Sequence, residues 1–161
     1  MNQQAPAITL RPVSPDDQEF LFQLYASTRA AELDPLGWGE TQRTVFLRAQ
    51  FEAQRRDYTA RFTDTGHEII LADGERAGRI WVARNDEEIR LVDIALLPAF
   101  CGRSIGTRLL KELIDEATAA GKPLRLSVPK HREAARRLYE RLGFTVTGEI
   151  ATHFRMEYKK Q

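Results

Sequence analysis

Two stretches of this 161-residue chain hold residues whose types and spacing could do chemistry. In the first, Asp93-Ile94-Ala95-Leu96-Leu97-Pro98 runs into Cys101-Gly102-Arg103-Ser104-Ile105-Gly106-Thr107. A strand, a tight turn and a helix opening, in that order, aim free backbone N–H groups at an anion. The first turn of a helix has unsatisfied donors and a partial positive charge, and small residues let a phosphate come close. A plain strand-to-helix turn would use Gly102 and Gly106 as well, so the glycines alone are a weak signal. The second stretch is Arg136-Arg137-Leu138-Tyr139-Glu140-Arg141-Leu142-Gly143-Phe144. It reads as an amphipathic helix closed by glycine, with Tyr139 on the apolar face. A phenol there is a core residue by position and a proton or hydrogen-bond donor by chemistry.

The elements that must hold these groups follow from hydrophobic periodicity. The strand before the first turn runs from Ile89 to Leu97 and ends at Pro98. Its apolar residues fall at 89 and 91, then at 92, 94 and 96, so the alternation slips by one near Leu91-Val92. A one-residue slip is what a β-bulge produces. The helix after the turn has a stripe of Ile105, Leu109, Leu110, Leu113, Ile114 and Ala117, and Gly121 and Pro123 stop it. The Tyr139 helix covers Arg132 to Leu142, with Ala135, Leu138, Tyr139 and Leu142 on one face.

Around these, strands are expected at Ile8 to Val13, Ile69 to Ala72, Ala77 to Ala83, Leu124 to Val128, Phe144 to Ile150 and His153 to Tyr158, with Asp73-Gly74 as a hairpin turn. A helix starts after Ser14-Pro15 and carries Phe20, Leu21, Leu24 and Tyr25 along one stripe. A loop over Asp34 to Gly39 leads to a helix from about Thr41 to about Phe62, with Val45, Phe46, Ala49 and Ala53 along one face. The order β-α-α-β-β-β-α-β-α-β-β predicts an α/β fold. No linker or repeat divides the chain, so residues 1–161 are expected to be a single domain, with residues 1–7 as a short polar extension.

Composition narrows the function classes. With 42% hydrophobic and 29% charged residues the chain is globular rather than disordered. A net charge of +1 lacks the basic excess of a general nucleic-acid or membrane-surface binder. One cysteine excludes an internal disulfide and CxxC metal spacing, and points to a reducing, cytoplasmic setting. His67, His131 and His153 are scattered and suggest no zinc site. The start of the chain lacks the order of a signal peptide, and no apolar run approaches the roughly 20 residues that span a bilayer.

The stretch from Ile94 through Gly106, followed by Ala135-x-x-Leu138-Tyr139-Glu140-x-Leu142-Gly143-Phe144, closely resembles the GNAT superfamily of N-acetyltransferases. That family's loop reads Gln/Arg-x-x-Gly-x-Gly/Ala, and its later helix reads Asn-x-x-Ala-x-x-Leu/Phe-Tyr-x-x-Leu-Gly-Phe. The resemblance implies a mixed, mostly antiparallel twisted sheet of about seven strands with a splayed, bulged central strand, flanked by about four helices. It implies acetyl-CoA as cosubstrate and no metal. Ile94, Ala95 and Leu96 would then face the pantetheine arm. The loop and helix opening from Cys101 through Gly102, Arg103, Ser104, Ile105, Gly106 and Thr107 would cradle the pyrophosphate. Tyr139 matches the tyrosine that protonates, or hydrogen-bonds, the departing CoA thiolate. A neutral amine attacks the thioester directly, so no enzyme nucleophile is required, and a strand N–H can stabilise the oxyanion. Family habit also allows a homodimer through the C-terminal strands.

Three residues depart from the pattern. Cys101 stands where the family has Gln or Arg, Ser104 where it has glycine, and Arg132 where Asn is common. A Cβ at position 104 is costly if the backbone needs a positive φ; with a negative φ the hydroxyl would be free to contact phosphate. In the basic run Lys130 to Arg141, Arg132 and Arg136 are the candidates for the adenosine phosphate, against a solvated helix face as the plain reading. Asp93 is a candidate general base or a structural hydrogen-bonder, Ser127 is a poor base, and ordered water is the third route. Glu32, Asp34 and Trp38 lie in the segment that shapes the acceptor pocket in such a family. Two functions remain: transfer of acetyl from acetyl-CoA to a primary amine of a small molecule, peptide or protein, or a non-catalytic acyl-CoA-binding or regulatory domain of the same fold.

Overall fold

The computed structural model describes residues 5–62 and 66–159. Part of the expected polar extension, residues 1–4, lies outside the described residues. Among the described residues, seven strands and four α-helices form in the order β1 (Ile8–Pro12), α1 (Gln18–Leu33), α2 (Glu40–Arg61), β2 (His67–Ala72), β3 (Glu75–Arg84), β4 (Ile89–Leu96), α3 (Ile105–Ala120), β5 (Leu124–Pro129), α4 (Glu133–Arg141), β6 (Thr145–Glu149) and β7 (His153–Tyr158). The strands make one sheet in the order β1-β2-β3-β4-β5-β7-β6. β4 and β5 run parallel, which requires a crossover, and α3 supplies it. The β1–β2, β5–β7 and β6–β7 pairs are antiparallel. The α/β class and the element order match the reading from sequence. Among the described residues no helix is long and apolar enough to cross a membrane.

Contacts divide the chain into two compact units, Met1–Ile80 with Ile94–Arg103, and Trp81–Asp93 with Ser104–Gln161. In the first unit, α1 and α2 bury Leu21, Phe22, Tyr25, Leu33, Leu47 and Phe51 with Ile69. The Phe22 and Phe51 rings meet edge to face at 5.7 Å. This corrects the expected face of α2: Ala49 and Ala53 are exposed and Val45 is 67% exposed, while Leu47 and Phe51 point inward. The two aromatic and aliphatic side chains one turn apart remove more apolar area from water than the alanines, so they set the rotation of the helix. Ser14 opens the first helical turn as expected, its N–H donating to Asp17 at 2.8 Å. The Asp17 carboxylate also accepts from Arg11 at 2.7 Å and 2.8 Å and from Arg76 at 3.3 Å. The β2–β3 turn has positive φ at both Asp73 (49°) and Gly74 (83°), the type I′ geometry that suits a two-residue hairpin.

In the second unit, α3 buries the six residues of its predicted stripe. It ends at Gly121 in the left-handed region, φ 69°, where a Cβ would be costly. β5 buries Leu124, Leu126 and Val128. α4 is nine residues long, and its apolar face of Ala135, Leu138 and Tyr139 is half-buried rather than enclosed.

Candidate active site

The geometry begins with β4. Its ladder with β5 covers only Ile89–Leu91 against Leu124–Leu126, whereas β5 stays paired with β7 through Pro129. Beyond Leu91, β4 therefore runs on to Leu96 outside that ladder, and the parting falls where the hydrophobic alternation slips.

On its other side β4 neighbours β3. Asn85 N–H donates to the Glu88 carbonyl at 3.1 Å, and Leu97 N–H donates to the Ala77 carbonyl at 2.8 Å. Between those two bonds the chain takes nine residue steps on the β4 side (88 to 97) and eight on the β3 side (85 to 77). One extra residue on one strand is the count of a β-bulge. Within the first unit its effect is visible at Gly78. The Ala95 carbonyl carbon and the Leu96 Cα each lie 3.0 Å from the point where a Gly78 Cβ would stand, and the Ala95 oxygen lies closer still. Cβ vectors leave a sheet through its faces, so a carbonyl at that point has turned out of the ladder plane. The Ala95–Leu96 peptide is trans, as are all peptides among the described residues, so the Leu96 N–H points the opposite way, away from Gly78. Ile94, Ala95 and Leu96 are all half-buried.

The turn after β4 is a single 3₁₀ turn, Pro98–Phe100. Phe100 N–H donates to the Leu97 carbonyl at 2.9 Å and Cys101 N–H to the Pro98 carbonyl at 3.2 Å. The Cys101 thiol, exposed, donates to the Leu96 carbonyl at 3.6 Å, so its polar group is spent on the strand end. The Arg103 guanidinium lies 5.6 Å from the Phe100 ring centroid. Gly102 has φ 77°.

Ser104 has φ 63° and ψ 13°, squarely left-handed, and its hydroxyl makes no cap bond to α3. Of the two backbone states open to position 104, the chain has taken the one that favours glycine. A side chain there costs about 1 kcal/mol or somewhat more. Gly106, by contrast, is absent from the positive-φ residues and sits within the helix, so it relieves no left-handed strain. The first intrahelical bond of α3 runs from Arg108 N–H to the Ser104 carbonyl at 3.0 Å. The N–H groups of Ile105, Gly106 and Thr107 precede it and face outward from the helix start.

In the second unit, Tyr139 packs its ring on Phe144 at 5.6 Å, so position and chemistry coincide in one residue. Tyr139 is half-buried, and desolvation, followed by the charge of Asp93, pushes its pKa up to about 12; Arg132 pulls the other way. The phenol receives no hydrogen bond among the described residues that would shift it. Asp93 and Arg132 are thus both within electrostatic reach of Tyr139. Arg132 is the N-cap of α4, with φ −93° and ψ 68° and no side-chain cap bond, a role Asn fills better. Arg136 stacks 5.0 Å over the Phe154 ring and pairs with Glu140 at 3.4 Å. Ser127 is exposed, one residue past the end of the β4–β5 ladder.

The residues expected to shape an acceptor pocket lie in the first unit. Glu32 pairs with Arg29 at 3.7 Å and Asp34 with Arg43 at 3.0 Å, while Trp38 meets Phe46 edge to face at 5.1 Å. Gly78 was not among the sequence candidates. An isolated glycine inside a strand pattern signals a bulge or a close backbone approach, and that signal was present in Ala77-Gly78-Arg79.

This arrangement, a parted and bulged strand, a glycine-bearing turn, a helix start and a following helix bearing a tyrosine, is that of an acyl-CoA-dependent transferase fold. The family model of the GNAT acetyltransferases matches residues 25–144, well over half of the chain, and the chain belongs to that family. It is 24% identical over 156 residues to the spermidine N(1)-acetyltransferase of Escherichia coli (strain K12), covering 93% of this chain and 79% of that protein. A shorter match, 41% identical over 54 residues, is to the L-methionine sulfoximine/L-methionine sulfone acetyltransferase of Salmonella typhimurium, covering 33% of this chain and 32% of that one. Among solved structures, PaiA N-acetyltransferase from Thermoplasma acidophilum in complex with coenzyme A superposes with a TM-score of 0.71 at 21% identity, over 96% of this chain and 99% of that one. At that identity the likeness shows the fold.

Proposed function

We propose that residues 1–161 form one catalytic domain that moves acetyl from acetyl-CoA to a primary amine of a small molecule or peptide by direct attack. The observation that carries this reading is the Ala95–Leu96 peptide, turned out of the β4 ladder on the stretch of strand that follows the Ile89–Leu91 pairing with β5. A backbone N–H freed from its ladder is a preorganised donor for the oxygen of a thioester, and such a donor is worth about 3–4 kcal/mol to an oxyanion. The N–H groups at the start of α3 hold phosphate, and Ile94 to Leu96 hold the pantetheine arm. The amine nitrogen forms a bond to the acetyl carbon, charge builds on the carbonyl oxygen, and the C–S bond then breaks. The ammonium proton leaves to water or to Asp93, and Tyr139 donates a hydrogen bond to the departing thiolate.

A domain that binds acyl-CoA without turnover is the second reading, and the strained Ser104 and the diverted Cys101 thiol are what favour it. The E. coli relative acetylates spermidine by its name, which puts a polyamine among the acceptors to try. Pairing of Glu32 and Asp34 with arginines leaves little free negative charge for a polycation, which favours amino-acid or peptide amines. The test is a thermal shift with CoA followed by thiol release from acetyl-CoA over a panel of polyamine, amino-acid and peptide amines. Stabilisation by CoA with amine-dependent thiol release supports the enzyme. Stabilisation with no release from any amine supports the binding domain, and no stabilisation at millimolar CoA overturns both.

A further inference from the structure

We propose that Gly78 is a positioning residue for acyl transfer: by lacking a Cβ it admits the Ala95 carbonyl over its own Cα, and so aims the Leu96 N–H at the thioester oxygen. The inference rests on the acetyl-transfer reading above and adds to it the residue that sets the direction of the donor.

Gly78 lies in the middle of β3, within a run of six buried positions from Ala77 to Val82. Glycine there forfeits buried apolar surface and weakens the strand, by about 0.5–1 kcal/mol relative to alanine. Conformational freedom does not explain it, because Gly78 is not among the positive-φ glycines. An alanine would adopt the same backbone. What excludes the methyl group is the Ala95–Leu96 peptide of the neighbouring strand, all of it backbone that cannot rotate aside as a side chain would. For a Cβ to fit, that peptide must move by about 1 Å, and a misplacement of that size near the reacting atoms costs on the order of 100-fold in rate. The strand after this point is anchored: Leu97 N–H is held by the Ala77 carbonyl, and the Leu96 carbonyl accepts from the Cys101 thiol. The displacement caused by a methyl group at 78 therefore falls on the peptide between Ala95 and Leu96.

The spectroscopic arm of the test needs no acceptor, and kcat is read with an amine that supports thiol release in the wild type. [1-¹³C]Acetyl-CoA is bound to the wild-type protein and to Gly78→Ala, and the infrared stretch of the labelled carbonyl is compared with that of free acetyl-CoA. A donor on the oxygen lowers the stretch in the wild type. The expected result for Gly78→Ala is a band returned toward the free position, kcat lower by about 100- to 1000-fold, and CoA affinity within a few fold of wild type. A folded Gly78→Ala protein with the wild-type band and kcat overturns the proposal, as does one whose loss falls on CoA affinity with kcat unchanged. If Gly78→Ala does not fold by circular dichroism, a protein carrying an ester in place of the Leu96 amide decides: it deletes the N–H alone, and an unchanged band and kcat overturn the proposal. A wild-type protein that binds no CoA, or shows no amine-dependent release, refutes the acetyl-transfer reading instead and is seen before any variant is made.

Discussion

Replacing Tyr139 by phenylalanine removes one oxygen from a ring that packs on Phe144 and leaves the packing in place. The magnitude follows from the phenol's environment. A pKa of about 12 keeps Tyr139 protonated throughout the neutral range. Full transfer of that proton to a thiolate of ordinary pKa, about 8.5, would be uphill by about 5 kcal/mol. Its contribution is therefore a hydrogen bond to a charged sulfur, worth about 1.5–3 kcal/mol, which converts to a fall in kcat of about 10- to 150-fold for Tyr139→Phe. Among the described residues the hydroxyl has no hydrogen-bond partner to lose, so stability should change by about 1 kcal/mol or less. Steady-state kinetics at saturating acetyl-CoA, with CoA affinity by calorimetry and Tm alongside, separates these terms. A donor with a more acidic thiol should show a smaller loss, since its leaving group needs less help. Unchanged kcat with wild-type Tm would refute a role for the phenol in thiolate departure. A drop in kcat of more than about 10⁴ would refute the hydrogen-bond magnitude and require complete proton transfer.

Ser104→Gly should raise stability by about 1 kcal/mol, or Tm by about 2–4 °C, by relieving a left-handed serine. It should hold or improve CoA affinity; a several-fold weakening would show the hydroxyl to be a phosphate ligand. Asp93→Asn should bring the Tyr139 pKa down from about 12, because it removes the second-largest cause of the rise, and an ultraviolet tyrosinate titration would read it. Tyr139 has a raised pKa in the folded state, so its contribution to stability is complete below about pH 10 and is lost as pH rises toward about 12; alkaline unfolding of wild type should be steeper there than that of Tyr139→Phe. Asp17 is held well below the usual carboxylate range, first by its bonds to Arg11. Its stabilisation is present above about pH 4 and lost as pH falls below, and Asp17→Asn should cost about 3 kcal/mol by urea denaturation and remove that acid limb.

The sequence by itself determined the element order, the stripe of α3, the Asp-Gly hairpin and the two stretches that carry the family resemblance. These are local matters: apolar spacing, glycine and proline punctuation and residue chemistry all act within a few positions along the chain. It also gave notice of a slip in β4, because a bulge must leave its mark on alternation. The face of α2 was misread, since Ala49 and Ala53 fit the helical period as well as Leu47 and Phe51 do. Only packing against α1 and Ile69 shows which stripe removes more area from water. The sign of φ at Ser104 was open in the sequence, where serine is tolerated on either side. The path of the turn between β4 and α3 settled it as positive. The pairing of Asp34 with Arg43, the raised pKa of Tyr139 and the closeness of Gly78 to the Ala95–Leu96 peptide join residues from about 9 to 46 positions apart. Contacts of that kind are set by strand register and side-chain direction, and those exist only once the chain has closed on itself.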